Sequence, residues 1–271
     1  MNKQEKIKQF QKGIAKSWSC PEDIFHKEEN VIIETDKVFF EIITFGQHAI
    51  IRSSREIVNW CQEHFSRIPA MDIMDGDNFY QIEKKLREYG RRLDGEHTLF
   101  LHLNPDFIVE KPNDFIYEWV EKEQIPLLYE DPRFENALNY HYKLEHLALL
   151  AKNEGKIVAM AAAGEYDFGV GHWEVGIDTL ASYRNRGLAA YLIKEVAVEL
   201  EKRGQLPYYT TWIANLASVR TALKAGFVPA SVWYYATKIH RELELSEQQM
   251  EEGHVFDAKE SLATLREKYG L

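Results

Sequence analysis

Cysteine is scarce: Cys20 and Cys61 are the only two among 271 residues. They sit in unrelated contexts, with no CxxC and no matched Cys/His set, which argues against a disulfide scaffold and a structural zinc site. No metal is expected. Long apolar runs are missing too. The longest weakly polar stretch near the middle, Ile157 to Gly164, is far shorter than the roughly 18 residues a bilayer crossing needs. The segment from Met1 to Phe10 carries Lys and Gln where a secretory signal would place apolar residues. Positive charge is also in deficit. With 33 Lys plus Arg against 43 Asp plus Glu the formal net charge is −10, which argues against a general nucleic-acid partner and favours a cationic or amine-bearing one. Internal repeats and low-complexity tracts are absent. Apolar residues, by contrast, are plentiful: a 45% hydrophobic share at this length can remove roughly three quarters of the unfolded surface from water, which excludes intrinsic disorder. A cytoplasmic protein without a membrane partner is expected, as one large domain or two small ones, with no oligomeric state implied.

The first part of the chain reads as α+β. Lys3 to Lys16 is amphipathic and breaks at Cys20-Pro21. Val31 to Ile33, Val38 to Phe45 and Ala49 to Ile51 are β-branched and aromatic runs suited to a hairpin or small sheet. Helical spacing follows over Arg55 to Phe65 and Asn78 to Tyr89, and then a strand over Thr98 to Leu103. Proline and asparagine punctuate residues 104 to 135, and a domain boundary is placed near Arg133, dividing an N-terminal domain (1–134) from a second (135–240) and a helical tail (241–271). In the tail, Asp257 and Glu260 are spaced like a capping box ahead of Leu262 and Leu265, and the acidic run from Glu242 to Glu252 reads as a solvated face.

The second part alternates strand and helix. Ala148 to Ala151, the turn Asn153-Glu154-Gly155, Lys156 to Gly164 and Trp173 to Leu180 read as strands. From Gly187 to Arg203 one apolar stripe, closed by Gly204, predicts a helix. Pro207 to Ile213 reads as a strand, Asn215 as an N-cap, and Leu216, Val219 and Leu223 as the buried face of a short helix ended by Gly226. A last strand runs from Phe227 toward Thr237 and includes Trp233-Tyr234-Tyr235. Phe115, Tyr117 and Trp119 alternate as one strand face would, and core packing is the favoured reading. His141 and His146 are five apart, which does not suit a shared metal on a helix.

Tyr183-Arg184-Asn185-Arg186-Gly187-Leu188-Ala189 leads from a strand straight into the long helix. The first ~four amides of a helix lack internal partners and sit at the positive end of its dipole, so such a turn suits a phosphate or pyrophosphate. Gly187 lets an anion approach the backbone, and Arg184 and Arg186 add local cations to an acidic protein. The alternative is an ordinary solvated loop with its glycine present for geometry.

Arg184-x-x-Gly187-x-Ala189 matches the Arg/Gln-x-x-Gly-x-Gly/Ala signature of the GCN5-related N-acetyltransferases. Asn215-x-x-Ser218 and Lys224-Ala225-Gly226-Phe227 resemble that family's second motif. The resemblance covers roughly residues 135 to 240 and is closest to a bacterial subgroup with an extra N-terminal domain. It implies an α/β fold, a mixed sheet flanked by helices and preceded by a smaller α+β domain, and transfer of acetyl from acetyl-CoA to a small-molecule or peptide amine. The backbone of Ile177, Asp178, Thr179 and Leu180 would pair with the pantetheine arm like an added strand. The turn from Arg184 through Asn185, Arg186, Gly187, Leu188, Ala189 and Ala190 would hold the pyrophosphate. Asn215 and Ser218 would contact the cofactor arm, although helix capping is a sufficient role for Asn215. The strands 173–180 and 208–213 would splay to admit the thioester.

Acyl transfer to an amine requires a neutral nucleophile. Holding a Lys-like amine of pKa ~10.4 neutral at pH 7 costs about 4.6 kcal/mol, against ~1 for an α-amine, so a base or a desolvating pocket is needed. Glu174 is the candidate base, with Asp167 and His172 as alternatives. In a strand Glu174 shares a face with Gly176 and Asp178 and can point away from the reacting centre. Many family members carry a Tyr four residues before the Gly of the Gly-Phe pair as general acid, and here that position is Ala222. Tyr208 or Tyr209 could substitute, or the module could bind acyl-CoA without turnover. A different acyl group or a hydroxyl acceptor is a further alternative.

Overall fold

The first helix, α1 (Lys3–Trp18), starts at a capping box: the Asn2 side chain accepts from the Glu5 amide while the Glu5 carboxylate accepts from the Asn2 amide. The computed structural model describes residues 2–166, 168 and 171–239. Asp167, the expected 241–271 helical tail with Asp257 and Glu260, and the acidic run before it lie outside the described residues.

After α1 come β1 (Val31–Glu34), β2 (Phe40–Thr44), β3 (Ala49–Ser53), α2 (Val58–Phe65), α3 (Gly76–Arg87), β4 (Arg91–Leu93), β5 (His97–His102) and β6 (Ile116–Glu121). Short 3-10 turns at Ile125–Glu130 and Pro132–Phe134 lead to β7 (Glu145–Asn153), β8 (Lys156–Glu165), β9 (His172–Thr179), α4 (Leu188–Lys202), β10 (Leu206–Thr211), α5 (Leu216–Lys224) and β11 (Phe227–Lys238). This is a mixed α/β architecture around one large sheet, ordered β1-β3-β2-β11-β5-β10-β9-β8-β7-β6. Among the described residues no helix is long and apolar enough to cross a membrane.

Two compact units are present. One is built from Met1–Ile73 and Gly95–Tyr234, the other from Met74–Asp94 and the chain from Tyr235 onward. In the latter, α3 is capped by Asp75, β4 pairs antiparallel with Ala236 to Lys238, and the Glu83 carboxylate accepts from the Leu93 amide at 2.6 Å. In the former, the sheet continues across the boundary expected at 134. β5 runs antiparallel to β10 on one side and to β11 on the other, so a strand from the expected first domain is an interior strand of the second. Any exposed β10 edge would be open to aberrant pairing, and β5 closes it.

Strand alternation in the larger unit separates two layers. Ala159, Ala161 and Ala163 of β8, Val175 of β9 and Tyr209 of β10 pack with the apolar stripe Leu188, Leu192, Ile193, Val196 and Leu200 of α4. On the opposite face Met160 and Ala162 pack with Phe134, Ala137 and Leu138, and Tyr208 packs with Phe10 and Ile14 of α1. Phe115 and Tyr117 join the α4 layer as expected, whereas Trp119 stays substantially exposed. α5 differs from its expected orientation. Of the expected stripe Val219 packs on the core, but Leu216 and Leu223 are exposed and Ala222 is fully buried, because the helix turns Ala217, Ser218 and Thr221 to a cleft and Val219 and Ala222 to the core.

Candidate active site

β9 and β10 are the central parallel pair, and their ladder is short. It registers Leu206 with His172, Pro207 with Trp173 and Tyr208 with Glu174, and goes no further. Beyond it β9 continues against β8 as far as Thr179, while β10 continues against β5 as far as Thr211. The strands therefore diverge like a fork, and a cleft of about 1220 Å³ opens there. Its lining draws on both faces of the sheet: Tyr209, Leu188 and Ser218 on the α4 side, and Glu174, Asp178, Asn136 and Tyr166 on the other.

Of the residues expected to form the site, Glu174, Ile177, Asp178, Thr179, Arg184, Asn185, Gly187, Leu188, Ala189, Ala190, Asn215 and Ser218 line this one cleft. Leu180 and Arg186 do not. The Leu180 amide is used by the Val158 carbonyl at 2.9 Å and its side chain packs on the layer containing Met160. The Arg186 guanidinium sits 5.2 Å over the Tyr183 ring.

The α4 end is a backbone device. Gly187 caps the helix with φ +80°, a left-handed conformation that favours glycine, and no side chain caps the first turn. Its amides are thus left for an incoming acceptor group. Arg184 Nε donates to the Thr179 carbonyl at 3.1 Å, pinning the turn to the end of β9. The Thr179 hydroxyl is buried, lines the cleft and has no partner among the described residues. Asn215 Oδ1 accepts from the Ser218 amide at 3.2 Å, the capping bond expected of it. These features fit the diphosphate and amide-rich arm of coenzyme A: a run of polar groups at a strand end, then a cradle of helix amides.

The opposite end is made of side chains. Glu174 does share its face with Gly176 and Asp178, as alternation requires, and this face forms the far wall of the same cleft. Thr210 donates its hydroxyl to the Glu174 carboxylate. Asp178 is occupied structurally: its carboxylate accepts from the Asn136 amide at 2.7 Å, the Ala137 amide at 2.9 Å and the Asn136 side chain at 2.8 Å. That loop lies so close on β9 that a Cβ on Gly176 would meet the Asn136 carbonyl at 2.3 Å. Behind it, buried Glu145 accepts from the Tyr129 and Tyr166 hydroxyls and, at 2.6 Å, from the Asn139 amide. Burial, followed by the bond to Glu145, pushes the Tyr166 phenol well above its usual range.

The proton donors and acceptors sort accordingly. Tyr209 shares a hydrogen bond with the Ser218 hydroxyl. Burial raises the Tyr209 pKa, Ser218 opposes, and the Glu174 and Asp178 charges add to the rise, so this cleft-lining phenol keeps its proton at neutral pH. Tyr208 is fully buried against Phe10 and Phe168, outside the cleft lining. His172 is no surface histidine. It is buried against α1, where a Cβ on Gly13 would fall 1.9 Å from its ring, and it is not part of the cleft lining. His141 lines the cleft, whereas His146 meets Trp173 edge to face. No group of three or more metal-ligating side chains occurs among the described residues. Sequence reasoning missed Glu145, Tyr166, Asn136 and Thr210, because they reach the cleft from separate segments and no short motif joins them.

Residues 113–227 match the profile of the acetyltransferase (GNAT) family. Solved structures to which the chain is similar include an acetyltransferase of that family from Colwellia psychrerythraea, at 16% identity over 54% of this chain and 57% of that one, TM-score 0.40. Another is a GCN5-related N-acetyltransferase from Kribbella flavida, at 22% identity over 58% of this chain and 64% of that one, TM-score 0.42. A third, from Salmonella typhimurium, was solved with its cofactor acetyl-CoA and is 12% identical over 48% of this chain and 96% of that one, TM-score 0.35. The chain spans less than two thirds of the length of the first two. No curated protein matches it.

Proposed function

Since residues 113–227 are a domain of the acetyltransferase (GNAT) family, we propose that this chain is an N-acetyltransferase of the cytoplasm that moves an acetyl group from acetyl-CoA directly onto an amine. The observation that carries the reading is the fork: the β9–β10 ladder ends at Glu174, beside an α4 N-terminus that no side chain caps. Coenzyme A would supply the acyl group as a thioester. Leu188, Ala189 and Ala190 would hold its diphosphate through their amides, and the β9 edge from Ile177 to Thr179 would align its arm.

Glu174 removes the proton that the attacking amine must lose, directly or through water, with Thr210 fixing the carboxylate. The leaving thiolate needs a proton in return. Ala222 has no group to give one and is buried in the core, so Tyr209, neutral and coupled to Ser218, takes that role. The acceptor enters from the opposite face, past Tyr140, Tyr166 and the carboxylates of Glu135 and Glu174. That wall suits a small-molecule or peptide amine that is cationic before it reacts.

Ala222 also favours a second reading, a module that binds acyl-CoA without turning it over. Thermal denaturation separates the possibilities. Acetyl-CoA and CoA at 100 times Kd should stabilise the protein by about 2.7 kcal/mol, and ATP should not. Thiol release over a panel of α-amines, polyamines and lysyl peptides then distinguishes catalyst from binder. An absence of any shift ends the cofactor assignment, and tight binding with no thiol release above hydrolysis establishes the second reading.

A further inference from the structure

The buried Lys, Arg and Glu side chains of the described residues are ion-paired, with one exception. Lys6 pairs with Glu201 at 2.5 Å, and Arg52 with Glu41. Glu145 is buried too, yet its hydrogen bonds come only from neutral donors: the Tyr129 and Tyr166 hydroxyls and, at 2.6 Å, the Asn139 amide. Strand register fixes where this carboxylate sits. Glu145 of β7 pairs with Gly164 of β8, and Gly164 pairs with Glu174 of β9. The two carboxylates therefore share one sheet face, two strands or roughly 10 Å apart. Between them is bare main chain, because a Cβ on Gly164 would meet the Leu144 carbonyl at 2.4 Å. Tyr166 follows Gly164 by two residues and lines the cleft together with both carboxylates. Its hydroxyl is held by Glu145, and the Glu174 charge contributes to the rise of its pKa.

A phenol whose proton is committed elsewhere has only lone pairs left to offer a ligand. Transfer to an amine supplies the matching donor. A primary ammonium has three N–H bonds. One proton goes to Glu174 and frees the lone pair for attack. A second leaves nitrogen once the C–N bond has formed, while the C–S bond breaks and the sulfur takes up the Tyr209 proton. The third stays in the amide, so ammonium and thioester give amide, thiol and one released proton. We propose that the Tyr166 oxygen accepts this retained N–H and thereby restricts the acceptor to primary amines, with Glu145 as the positioning residue that keeps the phenol proton turned away. This inference rests on the acyl-transfer reading above. A protonated secondary amine has two such hydrogens and an alcohol one, all of them lost in the reaction. Either would leave the Tyr166 lone pair desolvated and without a donor.

Thiol release by the full chain tests it, with each active primary amine of the panel set against its N-methyl derivative: glycinamide against sarcosinamide, and Nα-acetyl-lysinamide against its Nε-methyl form. The unmodified protein should favour the primary member by at least about tenfold in kcat/KM, the worth of one hydrogen bond near the top of its ordinary range. Tyr166→Phe should bring that ratio close to one, with CoA affinity by calorimetry as before. Glu145→Gln should keep the preference, since its amide oxygen still receives the Asn139 amide and the Tyr166 proton. Glu145→Ala releases the phenol proton and should lose it; should that variant fail to fold, Tyr166→Phe decides. Equal rates for both members of each pair in the unmodified protein overturn the inference alone. So does a preference that survives Tyr166→Phe, which would make it steric. Thiol release from no amine of the panel overturns the acyl-transfer reading together with it.

Discussion

The two ends of the cleft are built in different ways. At the α4 end the working groups are main-chain amides, supplied by one continuous stretch from Ile177 to Ala190, and side chains matter there mainly by being small or by holding the turn. At the opposite end the working groups are side chains from four separate segments: Asn136 to Glu145, Tyr166, Glu174, and Thr210 of β10. A backbone site is specified locally, by one glycine and the order of a strand and a helix. A side-chain site exists only once the sheet has formed. The first end should therefore be sensitive to backbone conformation, and the second to single functional groups and to the loop that carries them.

The largest separation should come from Glu174→Gln. It should lower kcat by about 100-fold if the carboxylate is the base while acetyl-CoA affinity by calorimetry stays the same; a near-normal rate removes Glu174 from the chemistry. Next is Gly176→Ala, which drives a methyl against the Asn136 carbonyl. Displacing the 136–137 loop should destabilise the protein by about 1–3 kcal/mol and raise the acceptor KM, again with little change at the cofactor. An unaltered melting temperature would mean that the loop does not rest on β9. Gly187→Ala should act in the converse sense. A Cβ at φ +80° has space, with only Pro112 at 3.8 Å, so the penalty is conformational, about 1–2 kcal/mol. It should appear as weaker acetyl-CoA binding and an unchanged acceptor KM.

The smallest effect is spectroscopic. Burial raises the pKa of Tyr209 and of Tyr166 in the folded chain. The fold therefore favours their neutral forms, and this stabilisation is complete below the ordinary tyrosine pKa of about 10 and is lost as pH rises through the folded values. Phenolate absorbance should show a late-titrating fraction that vanishes on denaturation and shrinks in Tyr209→Phe. Titration of all tyrosines together near pH 10 would place the Tyr209 hydroxyl in water.

The same contrast governs how much could be read from the chain. Strands over 156–164 and 173–180 and the helix after Gly187 were legible because their period and their glycines are local. The turn carried its chemistry in Arg184, Gly187 and Ala189. The pairing of β5 with β10 was not legible, since no pattern within Thr98 to Leu103 indicates which strand 110 residues later will lie beside it. The orientation of α5 was misread for a related reason. Of the stripe Leu216, Val219 and Leu223 only Val219 reaches the core; a cleft needs a low wall, and Ala217, Ser218 and Thr221 provide it at the expense of two exposed leucines. For Glu174 alternation was right about its face, and only the fork turns that face into the far wall of the site.

Although the family match begins at residue 113, β5 stands between β10 and β11. Transplanting the recognisable segment alone would strip away both the rib and the strand beyond it, leaving the β10 flank bare and ready to recruit a foreign strand. The matched segment is not a portable cassette. Shortening the gene to that segment should yield aggregates, and supplying residues 97–102 as a separate peptide is the rational way to rescue them.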